Sequence, residues 1–427
     1  MKYVNELLSF IKNSPTSFQA VDNIVARLES EGYINYNESS NTKLEKGNKY
    51  YVTRNQSSVI AFNIGSNLNN PSFNVVASHT DCPTYKVKPN AIIKSNGYIK
   101  LNTEGYGGMI RSTWLDRPLS LAGRVICKKD HEIKSITLDI KEKILMIPSL
   151  AIHLAKDFKD SSLNQQIDML PIIAQKDDFD FKAYLANKLN VNKEDVITFD
   201  LYLYPVEDGF VYDKFISSHH LDNLECAYTS LEAFINNFND NTVNVYVSFD
   251  NEEVGSRTRQ GAGSKFLFDI LDKLANDLGF DLNSALASTL LVSADNAHAI
   301  HPNHPEKSDS TNHTKMNDGI VIKYNANQSY TSDALSVALF LDMIKESGVK
   351  HQFYTNRSDL TGGGTLGYVS SSQVSVMSVD IGLAQLAMHS TMETAGVDDV
   401  EMMIEGLKAY YKSHLVKVDE VNYKINK

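Results

Sequence analysis

The sequence predicts an α/β fold that carries a β-rich inserted domain. Runs that alternate like strands, such as residues 243–249, are interleaved with segments of helical periodicity, such as residues 224–235. About 140 residues between Asp81 and Asp222 instead contain alternating segments typical of an antiparallel sheet. We therefore expect a main domain with its first part in residues 1–84 and its second part in residues 217–427, interrupted by the inserted domain in residues 85–216.

The elements of the main domain follow from the spacing of apolar side chains. Apolar side chains recur at helical spacing within residues 18–28 and predict an opening helix. Strand-like residues 74–78 come next and lead to His79. After the insertion, the helical segment 224–235 precedes the strand 243–249, and residues 400–411 predict a closing helix.

Length, composition and charge limit the class of protein. With 427 residues, 42% of them hydrophobic, the chain is too long for one ordinary domain. No apolar run approaches the ~18 residues of a membrane span, no signal peptide is visible, and three scattered cysteines form no disulfide framework. The net charge of −11 and the lack of basic clusters exclude nucleic acid as a partner. We expect a cytoplasmic protein with no membrane partner.

Two adjacent carboxylates, Glu252 and Glu253, follow the strand-like run 243–249. Consecutive side chains at a strand end point in opposite directions, so one carboxylate can bind a metal while its neighbour accepts a proton from the metal-bound water. An acidic run of this kind is, taken alone, more often a solvated turn. The other strand ends decide between the two interpretations.

Ligand-type residues follow four further strand-like runs. Functional groups gather where the strands of an α/β sheet reach their carboxyl ends, so these residues predict one assembled site. Imidazoles and carboxylates without thiolate suit zinc, manganese or cobalt better than calcium or an iron–sulfur centre. The residues are His79 with Asp81, Asp222, Asp295 and His389.

Eight sequence blocks resemble, in order and spacing, the aspartyl aminopeptidase family of metallopeptidases. The resemblance spans nearly the whole chain and implies a mixed-sheet α/β/α metallo-exopeptidase domain with an inserted domain. It also implies two divalent metal ions per subunit, typically zinc. The blocks are residues 14–18, 77–81, 112–117, 150–154, 221–224, 250–256, 293–303 and 387–390.

The resemblance further implies a role for each site residue. Asp222 bridges the two metals, His79 and Asp295 complete one site, and Glu253 and His389 complete the other. Glu252 is the implied general base, and Tyr330 supports the oxyanion. Asp81, two residues after His79, is placed to hydrogen-bond the far nitrogen of that imidazole, although an Asp there can also cap a turn.

Two residues carry the predicted substrate recognition and assembly. In the family, the residue matching Lys323 pairs with the side-chain carboxylate of an N-terminal Asp or Glu. Ser329 and Met392 stand here where the family commonly has Arg, so a neutral or basic N-terminal residue is the alternative. His153 matches a histidine of the inserted domain that reaches a neighbouring subunit's site, with packing beside Leu150 and Leu154 on a helix as the alternative. The resemblance implies a homo-oligomer built from dimers, up to a tetrahedral dodecamer.

The sequence thus predicts an aminopeptidase that hydrolyses the N-terminal residue of peptides by a two-metal-activated hydroxide, with a preference for Asp or Glu. A carboxypeptidase or deacylase on the same scaffold is an alternative and needs an Arg for a terminal carboxylate. Candidates for that role are Arg257, Arg259 and Arg357. A non-catalytic cage is disfavoured, because a scaffold has no physical need for adjacent buried carboxylates.

Overall fold

The computed structural model describes residues 1–40, 42–155, 163–175, 178–360 and 362–427. The helices are α1 Lys2–Lys12, α2 Ser17–Ser30, α3 Phe181–Leu189, α4 Leu221–Phe234, α5 Phe266–Leu278, α6 Leu282–Ala287, α7 Ala334–Ile344, α8 Leu366–Ser371 and α9 Val397–Lys412. The strands are β1 Ile34–Asn35, β2 Lys49–Arg54, β3 Ser58–Ile64, β4 Ser72–His79, β5 Thr84–Ser95, β6 Tyr98–Tyr106, β7 Leu119–Lys129, β8 Glu132–Asp139, β9 Ile172–Ala174, β10 Val196–Pro205, β11 Phe210–Tyr212, β12 Phe215–Ser218, β13 Thr242–Phe249, β14 Leu290–Ala294, β15 Ala297–His298, β16 Ile320–Tyr324, β17 His351–Thr355, β18 Met377–Gly382, β19 Ala384–Leu386, β20 Glu393–Gly396, β21 His414–Lys417 and β22 Tyr423–Asn426.

The largest sheet is mixed and brings four chain segments side by side. Its strand order is β1-β2-β3-β13-β4-β14-β18-β16-β17, and β13, β4, β14 and β18 are mutually parallel. The register places Phe249 beside His79 and Ala294 beside Ile381. Because these four strands run in one direction, the segments that follow them all leave the sheet at the same edge.

Helices cover both faces of this central sheet. On β4, Val76 belongs to a core with α4, α7 and α9, whereas Val75 belongs to a core with α5 and α6. Successive strand residues point to opposite faces, so a strand that is covered on both sides needs apolar residues in both positions. Accordingly, every residue of β4 and of β13 is buried.

A second sheet is formed by the part of the chain between β4 and β13. It is antiparallel, with the order β8-β7-β10-β5-β6-β9, and has its own core around Trp114, Leu121 and Leu201. The predicted fold class, a mixed-sheet α/β/α domain with a β-rich insertion, is confirmed. The domain boundaries at residues 85 and 216 stay a prediction, because sheet membership does not define where a domain begins.

Two smaller sheets complete the fold. The order β11-β12-β20-β19-β15 brings the strand before Asp222 against the strand that begins at Glu393, with Ser218 opposite Glu393. The predicted closing helix corresponds to α9, but a hairpin of β21 and β22 follows it. These strands of four residues are too short for their periodicity to stand out in the sequence. Within the described ranges, no helix is both long and apolar enough to cross a membrane.

Candidate metal centre

The structure brings the five predicted ligand residues together at the carboxyl edge of the central sheet. β4 ends at His79, and Asp295 directly follows β14. In each of two groups of three residues, one ligand-type atom per residue lies within 4.8 Å of the others. The groups are His79, Asp222 and Asp295, and Asp222, Glu253 and His389.

Asp222 belongs to both groups and lies between the two histidines. His79 Nε2 is 3.6 Å from Asp222 Oδ1 and 3.5 Å from Asp295 Oδ1. His389 Nε2 is 3.4 Å from Asp222 Oδ2 and 3.5 Å from Glu253 Oε1. Each oxygen of the Asp222 carboxylate therefore faces a different imidazole.

The residues of this cluster fit divalent metal ions. Asp222 Oδ1 and Glu253 Oε1 are buried and have no hydrogen-bond donor among the described residues. Such oxygens are costly unless a cation neutralises them. Two ligands of a tetrahedral zinc, each about 2.0–2.1 Å from the ion, stand about 3.4 Å apart, which is close to the measured separations of 3.4–3.6 Å.

Glu252 lies beside the centre on a short 3₁₀ turn, Glu252–Val254. The sequence predicted the two glutamates at a strand end, but β13 stops at Phe249, and Asn251 turns the chain with a φ of 63°. Glu252, Glu253 and His79 also have ligand-type atoms within 4.8 Å of one another. Burial raises the pKa of Glu252 to about 8, helped by the charge of Asp295 and opposed by His79.

Asp81 touches three members of the cluster. His79 Nδ1 lies 3.0 Å from the main-chain oxygen of Asp81 and 3.4 Å from its Oδ1. The Asp81 carboxylate accepts the main-chain N–H groups of Glu252 and Glu253, both at 3.1 Å. The predicted contact with the far nitrogen of His79 is thus made at shorter range by the main chain, while the carboxylate holds the backbone of the glutamate pair.

Glu393 is a residue of this centre that sequence reasoning missed. Its Oε2 accepts the N–H of Asp222 at 3.0 Å, and its Oε1 accepts the N–H of His389 at 2.7 Å. Burial raises the pKa of Glu393 to about 8, and the neighbouring Asp222 charge adds to the rise. Its place four residues after His389 was the available signal, but an isolated Glu beside a turn carries no pattern of its own.

Tyr106, at the end of β6 in the second sheet, was also missed. Its hydroxyl donates to Asp81 Oδ2 at 2.7 Å and accepts from Asn251 Nδ2 at 2.7 Å. Burial raises the pKa of Tyr106 well above its usual value, and the charge of Asp81 adds to this. No motif marks the residue, because its partners lie 25 and 145 positions away in the chain.

Lys323 adjoins the centre but is buried, with 1% of its surface exposed. Its ammonium donates to the main-chain oxygens of Asp295 at 2.7 Å and Asn296 at 3.2 Å, and lies 3.6 Å from Asp295 Oδ2. Although burial acts in the opposite direction, Lys323 and His79 hold the pKa of Asp295 below its usual value. The buried Tyr330 ring has its centroid 5.3 Å from the Lys323 nitrogen.

His153 lies outside the cluster of its own chain. It belongs to the exposed 3₁₀ turn Ile152–Leu154, and its neighbours Ile152 and Leu154 are 81% and 73% exposed. Leu150, the other residue of the packing alternative, is also exposed, and the described residues around His153 form a 3₁₀ turn in place of an α-helix. Both roles of His153 stay predictions.

Comparisons with known proteins agree with this geometry. The family described as Aminopeptidase I zinc metalloprotease (M18) matches residues 10–411. A probable M18 family aminopeptidase 2 of Clostridium novyi (strain NT) is 42% identical over 428 residues, covering 96% of this chain and 99% of the relative. One of Clostridium acetobutylicum is 41% identical over 427 residues, with the same coverage.

Solved structures give the same result. A chain in the cryo-EM structure of the Ape4 and Nbr1 complex superposes with a TM-score of 0.91 at 32% identity, covering 96% of this chain and 85% of that chain. The mApe1 dodecamer of S. cerevisiae gives a TM-score of 0.85 at 27% identity, covering 96% of each chain. The resemblance predicted from the sequence blocks is confirmed: this chain belongs to the M18 family of metallo-aminopeptidases and is a hydrolase.

Proposed function

We propose that this protein is a two-metal aminopeptidase that removes the N-terminal residue of peptides. The observation that supports this proposal is the placement of Asp222. Its two carboxylate oxygens face two different imidazoles, and each imidazole also lies 3.5 Å from a second carboxylate. One ion would be held by His79, Asp222 and Asp295, and the other by Asp222, Glu253 and His389. The family description supports zinc, with manganese or cobalt as alternatives for this donor set.

The chain's own residues then divide the remaining chemistry. Ions in these sites supply Lewis acidity toward a water molecule and the scissile carbonyl. The Asp81 carboxylate holds the backbone N–H of Glu252. Glu252 takes the proton of the attacking water and returns it to the departing amine. Tyr330 donates toward the carbonyl oxygen as negative charge develops there.

For the N-terminal residue, we propose a preference for Asp or Glu, with Lys323 as its partner. The second candidate is a neutral N-terminal residue, and one observation favours it: the Lys323 ammonium already contacts oxygens of Asp295 and Asn296. A charge-assisted contact with a substrate carboxylate is worth about 1.5–3 kcal/mol, or roughly ten- to a hundredfold in kcat/KM.

Lys323→Met separates these candidates, because it keeps the apolar stem and removes the charge. We expect the variant to lose its preference for Asp-Ala or Glu-Ala over Ala-Ala while retaining most cleavage of Ala-Ala. Equal losses on all three peptides would show instead that Lys323 acts through Asp295, and would favour the neutral preference. The readout is kcat/KM for each peptide in wild type and variant.

We also propose a homo-oligomer in which His153 reaches a neighbour's site. Exposed apolar side chains in and beside this turn support an interface there: Leu150, Ile152 and Leu154. The similarity to the mApe1 dodecamer supports the same assembly for this chain. The cytoplasm stays the location predicted from the sequence.

The test of the proposed function combines metal analysis with a panel of X-Ala dipeptides and their N-acetylated forms. We expect about two metal ions per chain and hydrolysis that needs a free α-amine. Equal cleavage of blocked and free peptides would overturn the aminopeptidase assignment and favour the carboxypeptidase or deacylase alternative. Of the three candidate arginines, Arg357 would first have to release Asp359, whose Oδ1 lies 2.8 Å from its Nε.

A further inference from the structure

We propose that Tyr106, a side chain of the second sheet, is a positioning residue that holds Glu252 and Glu253 in place through Asp81. This inference rests on the proposed function, since the geometry of that glutamate pair matters through the metals and the proton transfer assigned to it. It concerns how an element outside the central sheet controls the centre.

The contact runs from the hydroxyl of Tyr106 to the backbone of the pair. Tyr106 donates to Asp81 Oδ2, which in turn accepts the N–H of Glu253, while Asp81 Oδ1 accepts the N–H of Glu252. A carboxylate with three donors has few alternative orientations. The Tyr106 hydroxyl therefore restricts the rotation of the one side chain that fixes both glutamate amides.

The same hydroxyl also restrains the turn from its other side. Tyr106 accepts from Asn251 Nδ2 at 2.7 Å, and Asn251 is the residue whose positive φ directs the chain into the glutamate pair. The Oδ1 of Asn251 accepts from Thr258 Oγ1 at 2.7 Å and from Gln260 Nε2 at 2.9 Å. Removal of the hydroxyl would leave the amide of Asn251 without its acceptor and loosen Asp81 at once.

The residues that follow Tyr106 pass beside the group formed by Asp222, Glu253 and His389. Gly107 has a φ of 75°, and a Cβ added there would lie 3.0 Å from Glu253 Cβ. Ile110 N–H donates to the main-chain oxygen of His389 at 3.1 Å, and Thr391 Oγ1 donates to the main-chain oxygen of Thr113 at 2.7 Å. Residues 106–113 thus touch both Glu253 and His389, which share a group with Asp222.

Tyr106 also packs edge-on against Tyr202 with the ring centroids 5.6 Å apart, so a purely structural role is the competing explanation. Tyr106→Phe keeps this ring contact and removes the hydroxyl alone. The matched control is Tyr204→Phe, since Tyr204 is a tyrosine of the same sheet whose hydroxyl donates to Asp139 Oδ1 at 2.6 Å away from the glutamate pair.

The experiment measures kcat, KM, the melting temperature and zinc retention against a competing chelator in the full-length protein. Residues that orient metal ligands typically contribute 10–100-fold to metal affinity or activity, so for Tyr106→Phe we expect losses of roughly tenfold or more in zinc affinity and in kcat at saturating zinc. KM should change by less than about threefold, because the residue orients the base and a ligand and does not bind substrate. Tyr204→Phe should match wild type in zinc affinity and kcat.

A double-mutant cycle with Asp81→Asn tests the route of the effect. If Tyr106 acts through Asp81, Tyr106→Phe should cost less than about twofold in the Asp81→Asn background, because interacting residues are non-additive. The inference would be overturned if the losses of the two single variants multiplied in the double variant, or if Tyr106→Phe retained zinc as wild type does. Should Tyr106→Phe fail to fold, Asp81→Asn alone is the second variant, because it weakens the contact through which Tyr106 is proposed to act. Its zinc affinity should fall roughly tenfold or more, and unchanged zinc retention would overturn the inference.

Failure of the proposed function would be seen in the wild-type protein, whereas failure of this inference would be seen only in the variant. A wild-type protein that neither retains zinc nor cleaves free dipeptides overturns the proposed function and this inference together. A wild type that does both, with Tyr106→Phe equal to it in zinc retention and kcat, overturns the inference alone.

Discussion

Glu252 and Glu253 are neighbours in sequence, but their side chains have different surroundings. Glu253 Oε1 lies 3.5 Å from His389 Nε2 and lacks a hydrogen-bond donor among the described residues. This is the state of a ligand oxygen that is available to a metal ion. Glu252 is partly exposed and has a pKa raised to about 8, which suits a group that exchanges a proton near neutral pH. One turn therefore provides a ligand and a base.

Conservative substitutions should separate these roles. Glu252→Gln keeps the shape and removes the proton acceptor, so we expect kcat to fall on the order of 10²-fold or more with unchanged metal content. Glu253→Gln removes an anionic ligand and should lower the occupancy of one metal. Metal analysis and steady-state kinetics check both variants, and equal metal loss in the two would contradict the assignment.

Glu225 offers a residue-scale test of pH dependence at a carboxyl that is not itself a predicted metal ligand. It is fully buried in α4, its Oε2 accepts from Asn296 Nδ2 at 2.9 Å, and burial raises its pKa to about 8. A carboxyl with a raised folded pKa contributes stability that is present below its unfolded pKa of about 4.5. That contribution is lost as the pH rises from about 4.5 to about 8, because over this range the unfolded carboxyl ionises while the buried one still holds its proton.

Glu225→Gln removes this loss, so its melting temperature relative to wild type should rise by a few degrees between pH 5 and pH 8.5. Thermal melts of both proteins at equal metal content provide the measurement. Glu132→Gln, at an exposed position of β8, is the control and should show no such trend. A constant or falling difference for Glu225→Gln would contradict the prediction.

At the scale of elements, the site depends on short segments that follow strands. The parallel strands β13, β4 and β14 deliver the segments that carry Glu253, His79 and Asp295 to one edge. The smaller sheet adds a different restraint, since Glu393 at the start of β20 binds the N–H groups of Asp222 and His389. Two sheets thus share the positioning of one cluster.

The exposed turn Ile152–Leu154 is the element whose predicted role needs a second subunit. If His153 completes a neighbour's site, His153→Ala and Glu252→Gln should each be inactive alone and regain activity when co-assembled. A mixed oligomer then contains sites with an intact Glu252 beside a partner's intact His153. Peptidase assays after dissociation and reassembly test this, and absence of recovery despite demonstrated subunit exchange would contradict the role.

At the scale of the whole molecule, bound metal would cross-link distant parts of the chain. The five predicted ligands come from segments between residues 79 and 389, and a ligand that binds only the folded state stabilises it. Without metal, the cluster buries several carboxyl groups, and burial raises the pKa of both Glu252 and Glu393 to about 8. These groups favour the protonated form in the metal-free fold.

Metal removal should therefore destabilise the protein more at high pH than at low pH. Raised carboxyl pKa values mean that metal-free stability falls as the pH rises from about 4.5 to about 8. Bound cations favour the ionised carboxylates and oppose that fall. We expect the loss in melting temperature on chelation to be larger at pH 8 than at pH 5.5, and a smaller loss at pH 8 would contradict this.

The sequence by itself determined the fold class, the family and the identity of the candidate ligands. Strand periodicity shows where a strand ends, and the residue that follows, such as His79 or Asp295, has a chemistry that can be recognised locally. The order and spacing of the eight sequence blocks indicated the family. These features depend on residues that are close in the chain, which is why a single sequence contains them.

Only the tertiary structure decided how those residues are held. The contacts of Tyr106 with Asp81, of Glu393 with Asp222 and of Lys323 with Asp295 join segments that lie 25, 171 and 28 positions apart. No local pattern marks a residue whose partner comes from a distant part of the chain. The Lys323 ammonium likewise lies against the main-chain oxygens of Asp295 and Asn296, which follow β14, and no property of its own segment indicates this.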